Sequence, residues 1–149
     1  GGDALEAAKG LCDELGIKEF VNFHGQTPVD EMVRGLNGIH ISVVPYEADG
    51  YMAIAYSTKA FEVALMGIPM VLSNLPGVRE QFSSNAAKYF APGDYLDLAD
   101  KIKDLVENPA EAKVAVGIAR FEVANFDWNI HAEEYVSILE NVTPQFRKN

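Results

Sequence analysis

Residues 57–62 read Ser-Thr-Lys-Ala-Phe-Glu, and their types and spacing can hold an anion beside a pair of hydroxyls. Apolar spacing predicts a helix from Ser57 to Met66 that stops at Gly67. The first amides of a helix have no intrahelical acceptor and carry partial positive charge, so a helix start attracts anions. Ser57 and Thr58 add hydroxyls there, and Lys59 adds a full charge. Glu62 falls on the same face as Thr58 and Lys59, one turn further in. An ionised carboxylate only accepts hydrogen bonds, which suits vicinal hydroxyls such as those of ribose. Phe61, Ala64 and Leu65 point to the other side and are expected to pack on a sheet. The same residues also fit a plain structural reading. In it Ser57 is an N-cap, and Lys59 with Glu62 is a solvated i,i+3 pair contributing about 0.2–0.5 kcal/mol.

The rest of the chain must place that helix. Leu5, Ala8, Leu11, Cys12 and Leu15 recur at helical spacing, with Gly16 as a stop. Phe20 to Phe23 reads as a short strand ending at His24-Gly25. Thr27 then caps a helix with Pro28 at its first position and Asp30 and Glu31 in its first turn. Ile39 to Val44 is the best strand, stopped by Pro45. A largely uncharged loop, Tyr46 to Tyr56, leads into the Ser57 helix, and the buried strand Ile68–Leu72 follows it. A short helix from Pro76 to Phe82 precedes the strand Lys88–Phe90. Asp94 caps a helix to about Glu107, Asn108-Pro109 opens another to about Asn125, and Asp127 caps a last one over about 128–141. The polar tail from Thr143 is expected to fray.

This alternation, with continuous apolar strands, implies an α/β fold whose parallel sheet carries helices on both faces. Ligands in such sheets bind beyond the carboxyl ends of the strands. The segments to inspect are therefore 24–27, 46–59 and 73–80. A long uncharged loop at that edge, with Tyr51, Ala53, Ile54, Ala55 and Tyr56, reads as a cleft lining.

The chain has 149 residues, 48% of them hydrophobic and 23% charged, the balance of one globular domain. Its net charge of −10 argues against a sequence-independent nucleic-acid binder. A nucleotide ligand needs only a few local donors and stays compatible with that charge. The single cysteine, Cys12, reads as a small core residue and implies a reducing, cytoplasmic compartment. Neither a G-x-G-x-x-G fingerprint nor an Asp-x-Asp motif occurs, and His24, His40 and His131 are scattered, so no cofactor or metal site is expected.

The run from Ser57 to Val71 resembles the P-x-K-x-x-E-x-x-A-x-G-x-P-V-V signature of retaining GT-B glycosyltransferases of the group 1, family 4 type. Four flanking pieces are similar in the same order: Gly16 to Gly25, Ile39 to Pro45, Pro76 to Glu80, and Phe126-Asp127-Trp128 to Tyr135. The resemblance implies the C-terminal, donor-binding half of a GT-B fold, a Rossmann-like domain. The donor, a UDP- or GDP-sugar, is then a substrate.

On this resemblance Glu62 binds the ribose, while Ser57, Thr58 and Lys59 face the diphosphate. His24, Gly25 and Gln26 border the base. Arg79 and Glu80 read as structural, Glu80 capping or pairing locally. The family's first glutamate contacts the donor sugar, and its position here is Ile54, with Glu47 and Asp49 the nearest acids. No residue is singled out as catalytic. The family's acceptor-binding N-terminal domain and the first strands of this domain are expected to be missing from residues 1–149. Gly1-Gly2-Asp3 resembles the turn after the second of those strands. The whole protein would then be a metal-independent retaining transferase, peripheral at a membrane, while the fragment is inactive and self-associates through an incomplete sheet. Two alternatives stand beside this: a GT-B sugar-nucleotide epimerase, and a non-catalytic, receiver-like nucleotide-binding or interaction domain.

Overall fold

The structure, a computed structural model, describes residues 4–146, so the turn expected at Gly1-Gly2-Asp3 lies outside the described residues. The chain divides into two compact units, residues 1–38 and 39–149.

In the first unit, helix α1 spans Leu5–Glu14 and buries Cys12. It ends as expected at Gly16, whose φ of 64° lets the chain turn out of the helix. The Ile17 amide donates to the Cys12 carbonyl and the Gly16 amide to that of Asp13, which satisfies two terminal carbonyls in a Schellman motif. The strand expected at Phe20–Phe23 is not formed. Lys18–Phe20 is a turn of 3-10 helix and the chain beyond it is irregular. Parallel strands exist only as ladders, and among the described residues this segment has no ladder partner. Helix α2 spans Val29–Leu36 with Asp30 and Glu31 in its first turn. Thr27 does not cap it. Pro28 is extended, with φ −56° and ψ 147°, and stands just outside the helix.

The second unit holds a parallel sheet of three strands in the order β1 (Ser42–Val44), β2 (Met70–Ser73), β3 (Lys88–Phe90). Val43 pairs with Val71 and Leu72 with Tyr89. Helix α3 (Thr58–Met66) crosses from β1 to β2, and α4 (Pro76–Gln81) from β2 to β3. Helices α5 (Tyr95–Glu107) and α6 (Pro109–Val123) follow, then a 3-10 turn over Ala124–Phe126 and the long α7 (Trp128–Phe146). The last helix therefore runs past the expected fraying point at Thr143. Among the described residues no helix is long and apolar enough to cross a membrane.

Strand side chains alternate between faces. Val71 joins Phe90, Leu105 and Ala112 in a core that Ile41, Val43, Leu98 and Ile102 extend, which covers one face with α5 and α6. Met70 and Leu72 belong to the opposite face and are fully buried. Helix α3 packs on β1 and β2 and against α6. It buries Ala60, Val63 and Ala64, whereas Leu65 is 62% exposed. The expectation that Leu65 packs on the sheet fails because its position lies about 100° round the helix from Ala64.

Local rules hold at the other termini. Asp94 accepts from the amides of Leu96 and Asp97 at 3.0 Å. Asp127 accepts from Asn129 at 2.8 Å, and Pro109 opens α6. Gly67 ends α3 at φ 74°, and Arg120 donates to the Leu65 carbonyl beside it at 3.2 Å.

The β3 residue Tyr89 ties α4 to the sheet by donating to the Phe82 carbonyl at 2.6 Å. Burial raises its phenol from 10.0 to about 12, against the opposing charge of Arg79, whose guanidinium lies 4.2 Å from the ring centroid. A folded-state value above the unfolded one gives stabilisation that is complete below pH 10 and lost as pH rises through about 12. Wild-type melting temperature should therefore fall more steeply over that window than that of Tyr89→Phe. Parallel alkaline profiles for the two proteins would remove Tyr89 as the cause.

Candidate functional site

Three segments of the second unit meet beyond the carboxyl ends of β1 and β2: the loop 46–56, the start of α3, and the start of α4. The loop is ordered by its own hydrogen bonds. Asp49 accepts the Met52 amide on its carboxylate at 2.7 Å and the Ala53 amide on its carbonyl at 3.0 Å. Ala55 closes the turn onto Tyr51. Then the Gly77 amide donates to the Ala53 carbonyl at 2.9 Å. This approach needs glycine, since a Cβ at residue 77 would lie 2.7 Å from the Ile54 carbonyl carbon and 2.8 Å from the Ala55 oxygen.

Ser57 is the junction. It is the N-cap of α3, and its hydroxyl accepts the Ala60 amide at 3.2 Å. Such caps stabilise a helix by about 0.5–2 kcal/mol. The Tyr46 hydroxyl lies 3.2 Å from the same oxygen. The Ser57 side chain is 1% exposed, so its hydroxyl is committed to the interior. The N-cap half of the plain structural reading is therefore present. The other half is not: Lys59 and Glu62 form no ion pair. Instead the Lys59 ammonium lies 5.7 Å from the Tyr46 ring centroid, within cation–π range.

Thr58, Lys59 and Glu62 are all exposed. Of the first helical amides, Ala60 is used by Ser57, while those of Thr58 and Lys59 have no intrahelical acceptor. The result is an open shelf: two amides, a hydroxyl and an ammonium, with a free carboxylate one turn on. Among the described residues no cluster of three or more His, Cys, Asp or Glu side chains is arranged for a metal ion.

The other expected site residues are distributed as follows. Ile54 is 75% exposed on the loop, with an aliphatic side chain where a carboxylate was sought. Asp49 spends one carboxylate oxygen on its own turn. Glu47 borders a depression of about 330 Å³ with Tyr46, Phe90, Asp94 and Tyr95 at the strand ends. His24, Gly25 and Gln26 lie in the first unit, exposed and irregular, with Gly25 at φ 67°. Glu80 accepts from the Tyr56 hydroxyl at 3.3 Å, a bond to the loop 24 residues earlier and not the local pairing expected. Sequence reasoning missed Tyr46, Ser73 and Gln81. Tyr46 and Ser73 follow strands and could have been flagged by position; Gln81, within a six-residue helix, carries no such signal.

A parallel sheet with helices packed on it and a helix start exposed at its carboxyl edge defines a Rossmann-like class of α/β domain. The profile described as "Glycosyl transferases group 1" matches residues 1–108, and the chain belongs to that family. It is 27% identical over 146 residues to a D-inositol 3-phosphate glycosyltransferase of Corynebacterium jeikeium, covering 97% of this chain and 33% of that protein. The chain thus spans about a third of the length of this relative. Its fold is that of the C-terminal domain of a group 1 glycosyl transferase, LpcC, from Francisella tularensis (TM-score 0.69, 15% identity, 84% of this chain and 64% of that one). It also resembles Anabaena HepE, solved in complex with UDP-glucose (TM-score 0.83, 17% identity, 93% of this chain and 37% of that one). The expected GT-B C-terminal architecture is therefore observed.

The glycine at 77 offers a direct check of the loop packing. Alanine normally favours a helix over glycine by about 1 kcal/mol. Here the collision with Ile54 and Ala55 should reverse the sign, and Gly77→Ala should lose about 1–3 kcal/mol in a denaturant titration. A stabilised Gly77→Ala protein would mean that loop 53–55 is free to move away.

Proposed function

We propose that this chain is the donor-binding part of a retaining glycosyltransferase and that the start of α3 holds the diphosphate of a UDP- or GDP-sugar. The observation that carries the reading is the exposed helix start, where the Thr58 and Lys59 amides lack an intrahelical acceptor beside the Lys59 ammonium, with exposed Glu62 one turn further on. The amides and the ammonium face the diphosphate, and the Thr58 hydroxyl adds a donor. Glu62 accepts from the ribose hydroxyls. Ser57 contributes through its peptide and its cap, since its hydroxyl is turned inward.

Sugar transfer from such a donor leaves negative charge on the departing diphosphate while an oxocarbenium-like sugar forms. Donors fixed before the reaction lower the cost of that charge without reorganisation. The helix start supplies partial positive charge to it, and Lys59 a full one. Family membership and the transferase relative favour group transfer over epimerisation or a purely non-catalytic role. The UDP-glucose complex of the similar HepE fold favours a uridine donor over other bases. Glu47, Asp49 and Ile54 are proposed for the neighbourhood of the sugar.

Calorimetry with UDP and GDP tests the site. The wild-type chain should bind at least one of them, and Glu62→Ala should weaken it by roughly tenfold or more, the loss of about one charge-assisted hydrogen bond. Lys59→Ala should weaken binding and flatten its salt dependence. Unchanged affinity in both variants would remove α3 from the site. The 149-residue chain is also expected to bind donor without turning it over, because it covers about a third of its transferase relative. Sugar release or transfer by this chain alone would refute that.

A further inference from the structure

The start of α3 is held by two buried polar side chains that belong to other elements. Gln81, at the end of α4, is 2% exposed. Its Oε1 accepts the Ser57 amide at 2.7 Å, and its Nε2 donates to the Ser57 carbonyl at 3.2 Å. Ser73, at the end of β2, is 0% exposed and treats Tyr46 in the same way. Its hydroxyl accepts the Tyr46 amide at 2.7 Å and donates to the Tyr46 carbonyl at 2.8 Å. The Tyr46 hydroxyl then meets Ser57 Oγ at 3.2 Å. Both ends of the segment 46–57 are thus pinned through both polar groups of a backbone residue.

The clamp is not needed for burial. Leucine or methionine at 81 would fill a similar volume without a buried amide to satisfy. Nor does the rest of α3 depend on it. Ala60, Val63 and Ala64 pack the middle of the helix. Its carboxyl end is closed separately, by Gly67 and by Arg120 on the Leu65 carbonyl. What Gln81 controls is the peptide of the N-cap. That peptide has φ −92° and ψ 103°, and its direction sets where the next two amides point. Gln81 also occupies the Ser57 amide, and Ser57 Oγ occupies that of Ala60, which leaves the Thr58 and Lys59 amides as the unpaired donors of the helix start.

We infer that Gln81, with Ser73 behind it, is a positioning residue that aims the Thr58 and Lys59 amides at the bound anion. The inference rests on the diphosphate site proposed above. Gln81 touches no ligand in this reading and acts through the Ser57 peptide.

Two variants of the 149-residue chain test it. Gln81→Met removes both hydrogen bonds. Gln81→Glu keeps the shape and the acceptor for the Ser57 amide but, when ionised, loses the donor to the Ser57 carbonyl. Amide hydrogen exchange and calorimetry with UDP and GDP are the readouts. In Gln81→Met, exchange at Ser57, Ala60 and Phe61, the amides bonded at this junction, should rise roughly tenfold, while Val71 and Leu72 in β2 keep the wild-type rate. Nucleotide affinity should fall roughly tenfold, with Gln81→Glu intermediate in both measurements. A uniform rise in exchange would mean that Gln81 serves general stability, and affinity within twofold of wild type would likewise overturn the inference. If Gln81→Met does not fold, Gln81→Glu decides by the same criteria. If the wild type binds neither nucleotide, the donor-site reading fails. The exchange data then still decide separately whether Gln81 holds the helix start.

Discussion

At Ser57 one residue has all of its polar atoms assigned: the hydroxyl to the Ala60 amide and the Tyr46 hydroxyl, the amide and the carbonyl to Gln81, with a further weak bond from Phe61 to the carbonyl. Everything at the carboxyl edge is arranged around that junction. A buried backbone group without a partner costs about as much as a lost hydrogen bond, so the loop, the N-cap and α4 have little freedom to shift independently. This is how an irregular loop can sit over a parallel sheet without leaving unpaired groups beneath it. Among the described residues no buried side-chain nitrogen or oxygen is left without a partner.

The exposed surface follows from the same economy. Because Ser57 faces inward and Ala60, Val63 and Ala64 face the sheet, Thr58, Lys59 and Glu62 are turned outward by the helical repeat. Their electrostatics are local. The chain as a whole carries −10, yet the helix start presents partial positive charge and a lysine to solvent. A net charge of this sign repels polyanions in general and is compatible with a small anion held at a few oriented donors. Lys59 does not neutralise Glu62, so both signs stay available one turn apart.

The C-terminal domain of LpcC shares this fold at 15% identity. In this chain the fold places two constraints on the backbone itself. Gly67 must adopt φ 74° to let the chain drop from α3 into β2, and Gly77 must lack a Cβ for the loop to approach. Side chains on the open shelf, and Ile54 on the loop, are exposed and under no such packing constraint.

Much of this was legible in the sequence. The strand Lys88–Phe90 has its expected bounds, those at Ser42–Val44 and Met70–Ser73 overlap the expected Ile39–Val44 and Ile68–Leu72, and the caps at Ser57, Asp94 and Asp127 follow from local hydrogen-bonding chemistry. Gly16 and Gly67 marked helix ends because only glycine adopts that conformation freely. The order of these elements was enough to indicate the fold class and the edge at which to look. Local rules failed where the outcome depends on a distant partner. Phe20–Phe23 has strand composition but no ladder, and Thr27 yields its cap because Pro28 stays extended. Three decisions belonged to the tertiary structure alone: the inward turn of the Ser57 hydroxyl, the placing of Lys59 over Tyr46 instead of beside Glu62, and the closure of Gln81 on a peptide 24 residues earlier. Each depends on a contact between segments that only folding brings together, and nothing in local spacing encodes such a contact.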